Sequence, residues 1–278
     1  MDTGVAIFPT HDAIAPADMA RLADERGHES LFFPEHTHIP ADRQSPWPGG
    51  RELPRRYART FDLFVAVTAA VTVTTRLRVG SGICLVIERD PIITAKEVAT
   101  LDHLSGGRFA FGVGFGWNAD EIEDHGVAMK RRRDIAREHV LTMQALWRDD
   151  IATFEGEFVQ LPPSWAWPKP VQPLGPPVLI GGAPGPKLFA HVAEYADGWI
   201  PIGGAGVRAA LPELRRECER RGRDPQTLRI VPFGTIPDPG KLEYYESIGV
   251  SEVVLRLPSH GRDRVLPLLD EYGELASA

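Results

Sequence analysis

The stretch Gly107-Arg108-Phe109-Ala110-Phe111-Gly112-Val113-Gly114-Phe115-Gly116-Trp117-Asn118 alternates glycine with bulky apolar residues over its second half. Successive strand residues point to opposite faces, so Gly112, Gly114 and Gly116 share one face, and Phe111, Val113, Phe115 and Trp117 the other. Such a strand leaves a groove without side chains on which a flat ring could lie. The same pattern arises where small residues fill a barrel interior beside large ones. Two nucleotide motifs are excluded. A dinucleotide fingerprint needs its third glycine three residues after the second, and Trp117 or Ala119 stands there. No Gly-Lys-Ser/Thr phosphate loop follows either.

Outward from this strand, short apolar runs alternate with helical patterns, the signature of repeated βαβ units and a parallel sheet. Eight strands are expected, over residues 4–8, 30–34, 77–83, 108–114, 177–181, 198–202, 228–234 and 252–257, which implies a closed (β/α)8 TIM barrel. The helix from Pro16 to Glu25 stops at Gly27, the run Phe61 to Thr75 is largely apolar, and Leu211 to Arg221 stops at Gly222. Lys130-Arg131-Arg132-Arg133 opens a helix through Trp147 and reads as a solvated face, or as an anion site. Two excursions break the rhythm. Residues 37–60, rich in Pro and Gly, follow the second strand, where barrel loops build active sites. Residues 152–176, before the fifth strand, carry Trp165 and Trp167 and read as a lid or a surface Ω-loop.

With 43% hydrophobic residues in 278, the chain can bury one large core as a single domain, residues 1–278. Thirty-one Lys plus Arg against 38 Asp plus Glu give a net charge of −7. That balance argues against a duplex nucleic-acid binder and points to small-molecule partners. Cys84 and Cys218 form no metal-type spacing or disulfide framework, which fits a reducing cytoplasm. The chain enters a strand directly at Gly4-Val5-Ala6-Ile7-Phe8 and no window approaches the ~18 apolar residues of a membrane span. A soluble, cytoplasmic protein is expected.

The second strand ends Phe32-Phe33-Pro34-Glu35-His36-Thr37-His38. His-x-His at a strand end is also a metal-pair pattern, but His103, His125, His139 and His191 fall on helices or helix starts, and no metal site is expected. Imidazole exchanges protons near neutral pH and a neighbouring carboxylate can orient it, so Glu35 and His36 are the candidate acid–base pair. At the third strand's end, Gly80 and Gly82 flank Ser81 and permit close approach of a ligand or a tight turn. Cys84 reads as a small packed hydrophobe. At the fifth, Pro177-Val178-Leu179-Ile180-Gly181-Gly182-Ala183-Pro184-Gly185-Pro186-Lys187 turns into a helix whose free N–H groups, with Lys187, make an anion or phosphate site.

Five stretches in order carry a family resemblance: Ser30–His36, Thr75–Ile83, Leu101–Arg108, Gly112–Asn118 and Ala193–Trp199. Together, over Gly4 to about Pro201, the chain resembles the luciferase-like monooxygenase superfamily, in particular its coenzyme F420-dependent oxidoreductases. The resemblance implies a bacterial-luciferase-like barrel with a deazaflavin or flavin across its C-terminal mouth. It places His36 at the reactive edge of the ring with Glu35 beside it, and a non-proline cis peptide at Gly82–Ile83. Ser81, Gly82, Ile83, Gly114, Phe115, Gly116 and Asn118 would line the cofactor, and Gly181, Gly182 and Lys187 would hold its phosphate. The reading that follows is an oxidoreductase in which coenzyme F420 exchanges hydride at ring C5 with a small organic substrate entering under the 37–60 loop. An FMN-dependent monooxygenase fed by a separate reductase is the alternative. A non-catalytic flavin-binding barrel and a metal-dependent hydrolase rank below it. A homodimer is expected from the family.

Overall fold

Helix punctuation in this chain is local chemistry. In the computed structural model, which describes residues 1–50, 52–236 and 238–277, Asp90 caps the helix over Pro91–Ser105 by accepting from the N–H groups of Ile92 and Ile93, both at 2.9 Å. Pro91 at the first position gives up an N–H that had no partner to lose. The helix stops at Gly106, whose φ of 64° a side chain would disfavour. Arg108, two residues on, donates to the carbonyls of Val71, Thr74, Leu77 and Ser105, tying the next strand to the end of an earlier helix.

The strands are β1 Asp2–Ala6, β2 Ser30–Phe33, β3 Arg78–Ser81, β4 Phe109–Val113, β5 Ala152–Glu155, β6 Gln160–Ser164, β7 Val178–Gly181, β8 Gly198–Ile200, β9 Arg229–Ile230, β10 Phe233–Thr235 and β11 Glu252–Arg256. The helices are α1 Pro16–Glu25, α2 Leu63–Val71, α3 Pro91–Ser105, α4 Ala119–Asp124, α5 Arg132–Arg148, α6 Pro186–Tyr195, α7 Val207–Arg220, α8 Pro239–Ser247 and α9 Arg262–Ser277. The main sheet runs β10-β11-β1-β2-β3-β4-β7-β8-β9 with every neighbour parallel. The run expected as one strand over 228–234 is divided. Pro232 has no N–H to donate, so the ladder is interrupted there. On one side this segment bonds Trp199 and Pro201 through Val231 and Phe233; on the other it accepts from Ser251 and Val254. The sheet therefore curls with helices outside it, a TIM-barrel-like arrangement.

Inside the curl, Ala6, Phe32, Ala110, Leu179, Ile200, Val231, Phe233 and Val254 form a cluster, with Ile83 against it. Size alternates across facing positions: Phe32 reaches inward where β3 presents Gly80, whose added Cβ would lie 2.4 Å from the Phe32 ring. Outside, α2 and α3 bury Leu63, Val67, Val98 and Leu101 against the sheet. The second excursion is an antiparallel hairpin, β5–β6. Glu138 of α5 anchors it, its carboxylate accepting from the N–H groups of Glu157, Phe158 and Val159 at 2.6–3.0 Å. Among the described residues no helix is long and apolar enough to cross a membrane.

Candidate active site

The glycine face of β4 is not an open groove. A Cβ on Gly112 would lie 2.0 Å from the Ser81 carbonyl oxygen, one on Gly114 2.0 Å from the end of Ile83, and one on Gly116 2.7 Å from Ile122. The neighbouring strand end and α4 fill the space the side chains vacate. β4 itself ends at Val113, so Gly114 to Asn118 form the loop into α4. The peptide Gly82–Ile83 is cis. Ile83 lies between Gly114 and Gly181, and Gly82 against the Phe233 ring, so the mouth has an apolar floor of Ile83, Ile200 and Phe233.

His36 lies just past the end of β2, 8% exposed. Its carboxylate partner is Glu121, not Glu35: Nδ1 lies 2.7 Å from Glu121 Oε2. Glu121 is 1% exposed and sits in the first turn of α4, three residues after Asn118. Its other oxygen accepts the Thr37 N–H at 3.1 Å, and Asn118 Nδ2 approaches Oε2 at 3.4 Å. The Glu35 carboxylate is committed elsewhere. Oε2 accepts the Leu85 N–H at 2.8 Å, and Oε1 accepts Arg89 Nε at 2.8 Å together with its terminal amine. Arg89 also reaches Asp62, the N-cap of α2, at 2.8 Å. Glu35 thus pins the β2 end to the segment after β3, and Glu121 orients the imidazole.

The 37–60 loop closes around His36 with aromatic rings. Tyr57 lies 5.0 Å from the imidazole, Trp117 5.9 Å, and Trp47 5.9 Å from Tyr57, all centroid distances. The loop is held down by Asp120 in the first turn of α4, which accepts from the Gln44 and Ser45 N–H groups at 3.1 and 2.9 Å and from the Ser45 hydroxyl. Those bonds, the Ser45 hydroxyl foremost, bring the Asp120 carboxyl down to about 2. Thr60 donates to the His36 carbonyl at 2.8 Å.

The other sequence-derived positions divide. Ser81 spends its hydroxyl on the Gly112 carbonyl at 2.8 Å. Asn118 is 1% exposed, and its Oδ1 has no partner among the described residues. Phe115 turns away, between Arg133 at 4.4 Å and the His191 ring at 5.2 Å. Gly182 gives its N–H to the Ile200 carbonyl and takes the Trp199 indole on its own carbonyl, so its amide is already used. Lys187 is exposed at the start of α6. Cys84 is fully buried, and burial pushes its thiol well up, with Glu35 adding to the effect. Sequence reasoning missed Glu121, Tyr57, Trp47 and Arg89. Only Glu121 left a signal, a carboxylate one helical turn past the glycine run.

The apolar floor, His36 held by Glu121 and the unpartnered buried acceptor of Asn118 fit a flat heteroaromatic ring with polar substituents. A family model described as luciferase-like monooxygenase matches residues 8–236. An uncharacterised protein of Mycobacterium tuberculosis is 45% identical over 95% of this chain and 94% of its own length. An F420-dependent glucose-6-phosphate dehydrogenase of Nakamurella multipartita is 30% identical over 74% of this chain and 58% of that protein. Among solved structures, an F420-dependent secondary alcohol dehydrogenase in complex with an F420–acetone adduct superposes with a TM-score of 0.78, covering 99% of this chain and 98% of that one at 19% identity. The match spans well over half of the chain, and the chain belongs to the luciferase-like monooxygenase family.

Proposed function

We propose that this protein is an oxidoreductase of the F420-dependent kind, exchanging hydride with a small organic substrate at the mouth of the barrel. The observation that carries the reading is His36, just past the end of β2, held on Nδ1 by the buried Glu121. A bound deazaflavin would supply the hydride donor or acceptor carbon; the residues supply the rest. Ile83, in the cis peptide with Gly82, would support the ring, and Asn118 Oδ1 would accept from it. Because Nδ1 is committed to Glu121, Nε2 is the nitrogen that gives or takes the companion proton. Tyr57, Trp47 and Trp117 exclude water and bound the space left to substrate. The named relative that is 30% identical supports F420 over FMN.

Titration of the protein with coenzyme F420 and separately with FMN, followed by ligand fluorescence, tests the cofactor. Tight binding of F420 with FMN ignored is the expected result; preference for FMN would replace this reading with a monooxygenase using molecular oxygen. His36→Ala is then expected to keep cofactor affinity and lose turnover. An unchanged rate would remove His36 from the chemistry.

A further inference from the structure

Three carboxylates lie behind the mouth with too few cations to balance them. Glu35 is matched by Arg89, which also serves Asp62 and stands 3.8 Å from Glu97. Glu121 is matched by His36. Glu88 has no such partner. Its side chain is buried, Oε1 has no hydrogen-bond partner among the described residues, and Oε2 takes only the Thr37 hydroxyl at 3.4 Å, with His125 Nε2 at 3.8 Å. The groups facing it are Glu121 from α4, Glu35 from the end of β2, Arg89 beside it in the chain and His125 at the end of α4. Burial first, then Glu121 and Glu35, push its carboxyl up to about 9.

Thr37 joins this buried acid to the surface. Its hydroxyl lies 2.8 Å from His125 Nε2 and 3.1 Å from His38 Nδ1, and His38 Nε2 lies 3.0 Å from the exposed Asp124 carboxylate. A hydroxyl both donates and accepts, so it can pass a proton between the acid and either imidazole. We propose that Glu88 is a positioning residue of the His36–Glu121 pair: it stands near Glu121, across their shared neighbour Thr37, as a neutral carboxylic acid, exchanges its proton with solvent through Thr37, His125 and His38, and by its ionisation sets the charge that the pair faces. While Glu88 is neutral, the charge on Glu121 is the one His36 answers to. When Glu88 loses its proton to solvent, a second buried negative charge appears beside the pair. The inference rests on the reading of His36 as proton carrier, but its test does not need the cofactor.

Infrared spectra of the full chain at neutral pH are expected to show a carboxylic-acid carbonyl band that disappears in Glu88→Gln and titrates away near pH 9. In protein with ¹⁵N-labelled histidine, the His36 signals are expected to carry an inflection near that same pH in the wild type and none in Glu88→Gln. Thr37→Val should keep the band and slow its hydrogen–deuterium exchange several-fold, which tests the path to solvent even if Glu88→Gln fails to fold. Absence of a Glu88-dependent band at neutral pH, or identical His36 curves in both proteins, would overturn the proposal. Neither result depends on F420 binding, so failure here and failure of the cofactor reading are separable.

Discussion

Glu35 and His36 sit side by side just past β2, and backbone alternation sends their side chains to different neighbours: the carboxylate to Leu85 and Arg89, the imidazole to Glu121. The sequence marks both as important, but it pairs them with each other because they are adjacent, which is the arrangement an extended backbone makes hardest. The true partner lies 85 positions away, at a separation no local pattern reports. The two acids should therefore fail differently. Glu35→Gln weakens a buried ion pair and leaves Arg89 undercompensated, which costs about 3–5 kcal/mol and, at roughly 2–4 °C per kcal/mol for a chain of this size, lowers the melting temperature by on the order of 10 °C. Glu121→Gln keeps the shape but removes the charge that steadies an imidazolium. Turnover should fall by about 10²-fold or more with the melting temperature little changed. Thermal melts and steady-state rates on both variants check the assignment; a Glu35→Gln protein that melts normally but is inactive would reverse it.

At the scale of elements, the glycine alternation of β4 identifies a strand and a close approach, but not what approaches. The Ser81 carbonyl and the Ile83 side chain fill that face from the end of β3, whose register against β4 is a long-range fact. The two contacts differ in stiffness, and that difference is testable. An added methyl at Gly112 meets a backbone oxygen at 2.0 Å, one at Gly114 meets the far end of a flexible side chain at the same distance. Overpacking commonly costs about 1–3 kcal/mol and more where backbone must move. Gly112→Ala is expected to lose about 3 kcal/mol or more by denaturant unfolding, and Gly114→Ala about 1 kcal/mol while displacing Ile83 and weakening cofactor binding. Equal losses would mean that the β3 end is as pliable as a side chain. The β5–β6 hairpin repeats the lesson: its anchor, Glu138, sits on α5 and looks like any other helical acid until it is seen accepting three N–H groups.

At the scale of the molecule, the strand–helix alternation was readable because each unit buries apolar residues locally, and eight units implied a closed barrel; the division of the segment that joins the sheet's two ends was not, because it rests on residues 229–235 bonding both sides across the Pro232 interruption. Buried titratable groups impose a further global property, a stability that depends on pH in two opposing ways. Burial lowers the imidazoles of His28 and His139, and burial followed by Arg133 brings His191 down to about 4. In the unfolded chain these groups take up protons near 6.5, the ordinary histidine value. Between those limits the unfolded state binds more protons, so stability is lost as pH falls from about 6.5 towards 4. Glu88 acts in the other sense. Folded, it keeps its proton up to about 9, whereas unfolded it ionises near 4.5, so the folded state binds more protons in that window and stability is lost as pH rises through it. Melting temperatures measured in steps from pH 4.5 to 9 should therefore pass through a maximum. Glu88→Gln should match the wild type at the acid end and become progressively more stable than it towards pH 9. His191→Phe should flatten the acid side alone. A Glu88→Gln protein whose melting curve runs parallel to the wild type at every pH would show that Glu88 is already ionised in the folded protein, which its burial between Glu121 and Glu35 argues against.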